Sequence, residues 1–245
     1  MKVLILINKV GLGDCIIHLN YIHEISKKYE KPVSILAKEN TRAKDLFQDD
    51  PHIKEVITLD RLEDETGSHD GLNGFIKLIK DIKEKKFDKV FIFNSSVRYF
   101  LVCKFAGIKK IAQYPLFKKK GQHVVNTAKI FTENEIDKIV STQPKLFVNQ
   151  DKILKAQKKM SLNNKCIVLG ISASGPTKRW EIKNFIKLSE KINQKFPSKF
   201  YLAAGKNDQH LINEISNSNI GSNCVSLNNL KTVSYTHLTL PTRLP

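Results

Sequence analysis

The chain has 245 residues and a formal net charge of +17, with 41 Lys and Arg against 24 Asp and Glu. That length admits one large domain or two of ordinary size, and an apolar content of 41% is that of a globular protein. No apolar run approaches the ~20 residues of a membrane span, and residues 3–7 are too short for the roughly 7–15-residue core of a secretion signal, so a cytoplasmic protein is expected.

In chain order, residues 2–7 read as a buried strand and 14–28 as a helix with Ile16, Ile17, Leu19, Ile22 and Ile25 on its apolar side. Residues 32–37 read as a second strand, 43–47 as a short helix and 56–60 as a third strand. Residues 61–71 are polar and read as a loop. A helix over 72–85, a strand over 88–94, a helix over 97–106 and a strand over 110–114 follow. Continuous apolar strands alternating with helices predict a parallel sheet covered on both faces. The pattern blurs between 117 and 164, which hold the basic cluster Phe117-Lys118-Lys119-Lys120, a helix near 124–131 and a polar stretch at 149–159; a hinge is expected there. Alternation then restarts with a strand at 166–171, a helix at 182–192, a strand at 199–204, a helix at 208–216 and a strand at 224–227.

Two tandem α/β units with a ligand cleft between them are therefore expected: residues 1–150, then a partial unit at 151–232 into which only three strands fit. Residues 233–242, Val-Ser-Tyr-Thr-His-Leu-Thr-Leu-Pro-Thr, match the one-frame translation of a transposase adapter used in sequencing libraries. Residues 233–245 are accordingly expected to be a non-native tail, with the natural chain continuing beyond Thr232.

The positive charge fits nucleic acid, an anionic membrane or an anionic substrate, and equally a compositional bias toward Lys, Ile and Asn. Its spread along the chain, with one compact cluster at 118–120, suits a local anion better than a nucleic-acid stripe. Cys15, Cys103, Cys166 and Cys224 lie far apart without a C-x-x-C pair and read as buried thiols, against zinc or disulfides. His18 and His23 are five apart on one helix, not at metal spacing.

Three turns carry chemistry. Asn8-Lys-Val-Gly-Leu-Gly-Asp14 follows the first strand, but Ile16 stands where a dinucleotide fingerprint needs its third glycine. Asp14 reads either as a helix cap or as a general base. Asn94, Ser95 and Ser96 follow the fourth strand and either face the cleft or cap the helix at Val97. The most informative turn is Gly170-Ile-Ser-Ala-Ser-Gly-Pro-Thr-Lys-Arg-Trp180, which places hydroxyls, a glycine and cations between a strand and a helix. Free backbone N–H groups and the dipole's positive end favour an anion there. Arg179 reads as solvated or as a second phosphate contact, Trp180 is expected to pack in the core, and Asp208 reads as a helix cap or a donor contact.

These segments resemble glycosyltransferase family 9, the ADP-heptose:lipopolysaccharide heptosyltransferases. Val3-Leu-Ile with Gly13-Asp14 and His18-Leu19 is similar to the family's opening strand and turn. Phe87-Asp88, Asn94-Ser95-Ser96 and Ala106-Gly107-Ile108 are similar to its fourth strand, turn and helix. Ser172 to Trp180 with Asn184-Phe185 is the strongest match, and together these span essentially all of residues 1–232. Asn20 and Glu181 replace prolines common in the family, and a downstream Asp-x-Gly-x-x-His-like turn of the donor site is absent.

The resemblance implies a GT-B fold, with an acceptor-side domain at 1–150 and an incomplete nucleotide-sugar domain at 151–232. It implies inverting transfer of heptose from ADP-heptose to the lipopolysaccharide inner core, without metal or cofactor. Asp14 matches the family's proposed base and Lys178 its phosphate-binding lysine. Ser172, Ser174, Gly175 and Thr177 would complete the phosphate site, and Gly13, Asn94, Ser95, Lys118, Lys119 and Lys120 are the acceptor-side candidates. The partners implied are a nucleotide sugar, the lipopolysaccharide acceptor and the anionic cytoplasmic face of the inner membrane, and not nucleic acid. Activity of this piece alone is expected to be poor. The alternatives are a same-family transferase with another acceptor, a basic nucleic-acid or membrane-binding protein, and a Rossmann-type nicotinamide enzyme. Ile16, and Ala37-Lys38 where an acidic residue is needed, weigh against the last.

Overall fold

The computed structural model describes residues 1–8, 11–62, 66–115, 123–160, 164–173, 178–205 and 208–227. The chain divides into two compact units, Met1–Phe147 and Val148–Pro245. The first runs β1 (Val3–Ile7), α1 (Leu12–Lys28), β2 (Val33–Lys38), α2 (Ala43–Leu46), β3 (Ile53–Leu59), α3 (Gly71–Lys85), β4 (Lys89–Ile92), α4 (Val97–Phe105), β5 (Lys110–Gln113) and α5 (Val124–Ile136). Its strands form one sheet in the order β3-β2-β1-β4-β5, every pair parallel.

β1 is central and buried at all five positions. Alternation sends Val3, Ile5 and Ile7 into a core shared with Leu19 and Ile22 of α1 and Ala128 and Phe131 of α5. Leu4 and Leu6 go to the other face, against Leu78 and Ile82 of α3 and Tyr99 and Val102 of α4. A strand apolar on both sides has no solvent face to offer, which is why it reads as an unbroken hydrophobic run. The strand order reverses between β1 and β4, where Leu6 is level with Ile92. The turns leaving those two carboxyl ends flank a topological switch point, where α/β sheets place ligands.

The connection from β3 to α3 is held by a buried carboxylate. Asp70 accepts hydrogen bonds from Arg61 Nε at 2.7 Å, Leu62 N at 3.0 Å and Gly67 N at 3.1 Å. Gly67 lies so close that a Cβ there would stand 2.5 Å from the Asp60 carbonyl oxygen. Burial pushes the Asp70 carboxyl up, but the Arg61 guanidinium and the two amides outweigh it and hold the group below its ordinary 3.8. Asp70→Asn is expected to cost about 1–3 kcal/mol at pH 7, read by urea denaturation. A carboxyl with a depressed native pKa stabilises the fold above its unfolded value and loses that contribution as pH falls through the native one. The gap between wild type and variant should therefore close below pH 3.8; a gap independent of pH would refute the electrostatic account.

The second unit runs α6 (Gln150–Lys159), β6 (Lys165–Gly170), α7 (Ile182–Lys195), β7 (Ser198–Ala203), α8 (Gln209–Ser216) and β8 (Cys224–Ser226). Its parallel sheet has the order β6-β7-β8. Ile182 of α7 and Ile212 and Ile215 of α8 share one core with Leu169, Phe200 and Leu202. Tyr201, Ala203 and Leu227 form a smaller cluster. The polar stretch at 149–159 is a helix: Asn149 Oδ1 caps it by accepting from Asp151 N at 2.8 Å, and lysine favours a solvated helix.

The cysteines divide. Cys15 and Cys103 are buried, and burial pushes their thiols up to about 11 and about 12; Cys166 and Cys224 are half-buried, not buried as expected. Among the described residues no helix is long and apolar enough to cross a membrane.

Candidate active site

The β1–α1 turn delivers Asp14 to the first turn of α1. Its Oδ2 accepts from the Gly11 amide at 3.2 Å, reaching back over the helix start as a capping carboxylate does. No hydrogen bond to Oδ1 forms among the described residues. One oxygen therefore orders the turn, and the other carries no hydrogen bond among the described residues on a partly exposed side chain. One turn along, buried His18 places Nδ1 2.6 Å from the Asp14 carbonyl oxygen and sets its ring edge-on to Phe93 at 5.0 Å. His23 forms a buried pair with Asp50 at 2.7 Å.

Gly13 is exposed, and a Cβ added there would meet nothing within 4 Å. The fold therefore does not require glycine at this position. Gly13→Ala is expected to leave Tm within about 2 °C, given the few tenths of a kcal/mol typical of such a surface change. If a substrate lies against the helix start, the variant should still lose turnover. Unchanged kcat/KM would show that nothing approaches Gly13 closely.

Across the switch point, Asn94 Oδ1 accepts from Ser96 N at 2.9 Å, closing a turn before α4. Ser96 sits at the N-cap without a side-chain cap bond, so neither Asn94 nor Ser96 caps the helix as the alternative reading required. Among the described residues the buried Asn94 Nδ2 atom has no hydrogen-bond partner, and Ser95 is exposed. Gln113, at the end of β5, donates from Nε2 to the Asn94 carbonyl at 3.1 Å and the Ser96 carbonyl at 3.0 Å, fastening the turn to the sheet. Lys118, Lys119 and Lys120 lie outside the described residues.

In the second unit, Ser172 follows β6 and its Oγ accepts from Gly205 N, after β7, at 2.8 Å. Lys178 is exposed and makes no hydrogen bond or ion pair among the described residues. Arg179 is not free in solvent as expected. Its Nε donates to the Ala173 carbonyl at 3.2 Å, and its guanidinium meets Asp208 Oδ1 at 3.2 Å. Asp208 makes no side-chain cap for α8; its buried carboxylate is turned to Arg179 instead. Trp180 is 50% exposed, edge-on to Phe185 at 5.0 Å, rather than in the core. Ser174, Gly175 and Thr177 lie outside the described residues, as does the tail at 233–245.

Two cross-links thus tie the loops after β6 and β7 together, and Lys178 is an exposed cation beside the anchored Arg179. Gln113 and the Arg179–Asp208 pair escaped the sequence reading because each partner lies on a different strand connection. Among the described residues no cluster of His, Cys, Asp or Glu has the arrangement of a metal centre.

Comparison with known proteins bears on this arrangement. Residues 75–228 match glycosyltransferase family 9 (heptosyltransferase). No curated protein sequence matches the chain. Among solved structures, the ADP-heptose lps heptosyltransferase II of E. coli superposes with a TM-score of 0.71 at 18% identity, over 93% of this chain and 72% of that one. The glycosyl transferase family 9 protein of Veillonella parvula gives 0.70 at 16%, over 88% and 66%. E. coli heptosyltransferase WaaC with ADP-2-deoxy-2-fluoro heptose gives 0.62 at 11%, over 93% and 76%. At these identities the likeness is one of fold, the α/β GT-B class expected from sequence.

Proposed function

From the premise that the chain belongs to glycosyltransferase family 9, we propose that it transfers heptose from ADP-heptose to the lipopolysaccharide inner core with inversion. The observation that carries the mechanism is the placement of Asp14. It is a carboxylate at a helix start, beside the switch point, with one oxygen engaged by the Gly11 amide and the other without a hydrogen bond among the described residues.

In the proposed step, an acceptor hydroxyl oxygen attacks the anomeric carbon of the donor sugar. The bond from that carbon to the β-phosphate oxygen breaks, and ADP departs with the electron pair. Asp14 takes the hydroxyl proton as the new bond forms. The charge growing on the β-phosphate is met by the Lys178 ammonium and by hydroxyls and amides of the loop that begins at Ser172. Ser172 suits this role: its oxygen is fixed by the Gly205 amide, so its own proton is free to be donated outward. Gly13 keeps the approach to Asp14 open, and the Gln113 clamp fixes the Asn94–Ser95 turn on the acceptor side. E. coli WaaC was crystallised with a fluorinated ADP-heptose and with ADP, which supports an adenine-nucleotide sugar as the donor class here. The reading places the protein in the cytoplasm, where sugar nucleotides are made.

The test is a donor and acceptor panel. The purified chain would be incubated with ADP-heptose or UDP-sugars and a defined inner-core acceptor. Release of ADP with a matching gain of one heptose by mass spectrometry is expected. Turnover restricted to another acceptor would move the protein within the family. Turnover of UDP-sugars alone would overturn the donor assignment.

A further inference from the structure

The segment that leads out of the first unit is fastened along α1. Residues 138–147 contain neither helix nor strand, yet they are held at successive points. Lys138 Nζ meets Glu24 Oε2 at 2.7 Å, the Asn20 side-chain amide donates to the Ser141 carbonyl, and Val140 N donates to Glu133 Oε1 at 3.0 Å. Val140 belongs to the core beneath, and Leu146 packs against that core. Phe147, the last residue of the first unit, stands edge-on to two imidazoles, His23 at 5.4 Å and His52 at 5.6 Å.

Those imidazoles are parts of one polar cluster, with ring centroids 4.8 Å apart. Asp50 is buried and both its oxygens are engaged, Oδ2 with His23 Nε2 at 2.7 Å and Oδ1 by the His52 backbone amide at 2.9 Å. Ser26 Oγ donates to the Lys31 carbonyl at 3.1 Å, so toward His52 Nδ1, 3.3 Å away, it acts as acceptor. The neutral His52 ring therefore carries its proton on Nδ1. A second proton would go to Nε2, which makes no hydrogen bond among the described residues. The new charge would face His23 and Lys27 of α1, and Lys145 already lies over the Phe147 ring at 5.2 Å. Two carboxylates are near: Glu24, shared between Lys27 and Lys138, and Asp50, occupied by His23.

We propose that residues 138–147 are an acid-released latch, held on α1 while His52 is neutral and let go when His52 takes a proton. Phe147 keeps water from the imidazole it covers, which penalises the charged ring; undocking restores its hydration. The His52 pKa is accordingly held below its ordinary 6.5, by burial first and by the facing His23 next, with Asp50 pulling the other way. A base whose pKa is lowered by docking favours the docked state above pH 6.5 and loses that contribution as pH falls from there through the docked value. Val148 opens the second unit, so acid slackens the connection into it. The latch needs no substrate and works whether or not the chain transfers heptose.

The experiment is hydrogen exchange of the full chain at about pH 7.5 and about pH 5.5, read by mass spectrometry on peptides covering residues 138–147. Dividing by the exchange of the same segment as a free peptide removes the intrinsic effect of pH on amides. In wild type the corrected exchange should be faster in acid by a factor of up to about ten, the most that a group titrating at 6.5 when released contributes about one pH unit below that value. Peptides of β7 should show no such change. His52→Phe keeps a ring against Phe147 but has no proton to gain, so protection should persist and the acid effect should vanish. Phe147→Ala should exchange fast at both pH values. Thermal melts confirm that each variant is folded, and His52→Gln replaces His52→Phe if it is not. Proton NMR titration of His52 in wild type is the second measurement: because linkage is reciprocal, its pKa should lie below 6.5 and rise toward that value in Phe147→Ala. Equal corrected exchange at the two pH values, an acid effect that survives in His52→Phe, or one shared equally by β7 would overturn the proposal. So would protection unchanged in Phe147→Ala, or a His52 pKa that Phe147→Ala does not move.

Discussion

Asp14→Asn is expected to lower glycosyl transfer about 10²–10⁴-fold while leaving ADP affinity and folding stability close to wild type. The asparagine is chosen because Asp14 does two things. Its Oδ2 orders the turn by accepting from the Gly11 amide at 3.2 Å, and an amide oxygen of the same shape still accepts that bond. What asparagine lacks is a site basic enough to take the acceptor's proton. Asp14→Ala removes both roles, so it should match the asparagine variant in rate and fall below it in stability by about 0.5–2 kcal/mol, the usual size of a lost helix-start bond. Rates would be followed by ADP release and stabilities by urea denaturation. If the asparagine variant turned over normally while the alanine variant failed, Asp14 would be a structural cap and the base would have to be sought elsewhere.

Lys178→Ala should lower kcat by about 10²–10³-fold and weaken ADP binding, without loss of stability. The expectation of unchanged stability comes from its surroundings: Lys178 is exposed and engages no other group among the described residues. Its neighbour behaves oppositely. Arg179 is held by the Ala173 carbonyl and the Asp208 carboxylate, each at 3.2 Å, so Arg179→Ala should shift Tm by a few degrees because a charge-assisted tie between two loops is cut. Isothermal titration with ADP, beside kcat and KM for the sugar nucleotide, separates the two residues. A Lys178 variant with normal ADP affinity and normal kcat would remove the lysine from the leaving-group site. If Arg179→Ala proved catalytically silent but unstable, its place as a scaffold residue would be secure.

What could be read from the chain beforehand followed burial. β1, β2 and β4 are covered on both faces, so their apolar runs stand out, and the helices between them show their period plainly. β3 starts at Ile53, earlier than expected, because it lies at the sheet edge and its polar Lys54 and Glu55 are allowed outward. α6 shows in the sequence only as a polar stretch because it is lysine-rich and weakly apolar, yet a capped start at Asn149 makes it helical. In the candidate site, Asp14 and Lys178 were visible because each sits in a short turn with recognisable neighbours. Gln113 and the turn toward Arg179 of Asp208 were not. Their partners are distant in sequence, and only the folded register of β5 on β4, or of β7 on β6, brings them together.

The central place of β1 has a consequence for how the chain is made. β1 leaves the ribosome well before β4, yet Val3 to Leu6 pair on one side with that later strand, beginning at Lys89. Until that later strand emerges, Val-Leu-Ile-Leu-Ile has one open hydrogen-bonding edge and only part of its eventual cover. A short, uncharged, β-prone segment in that condition is a template for intermolecular pairing. Nascent chains that stop short of β4 should therefore depend most on holding chaperones, and refolding from urea should be slow and concentration-sensitive until the β1–β4 pairing closes.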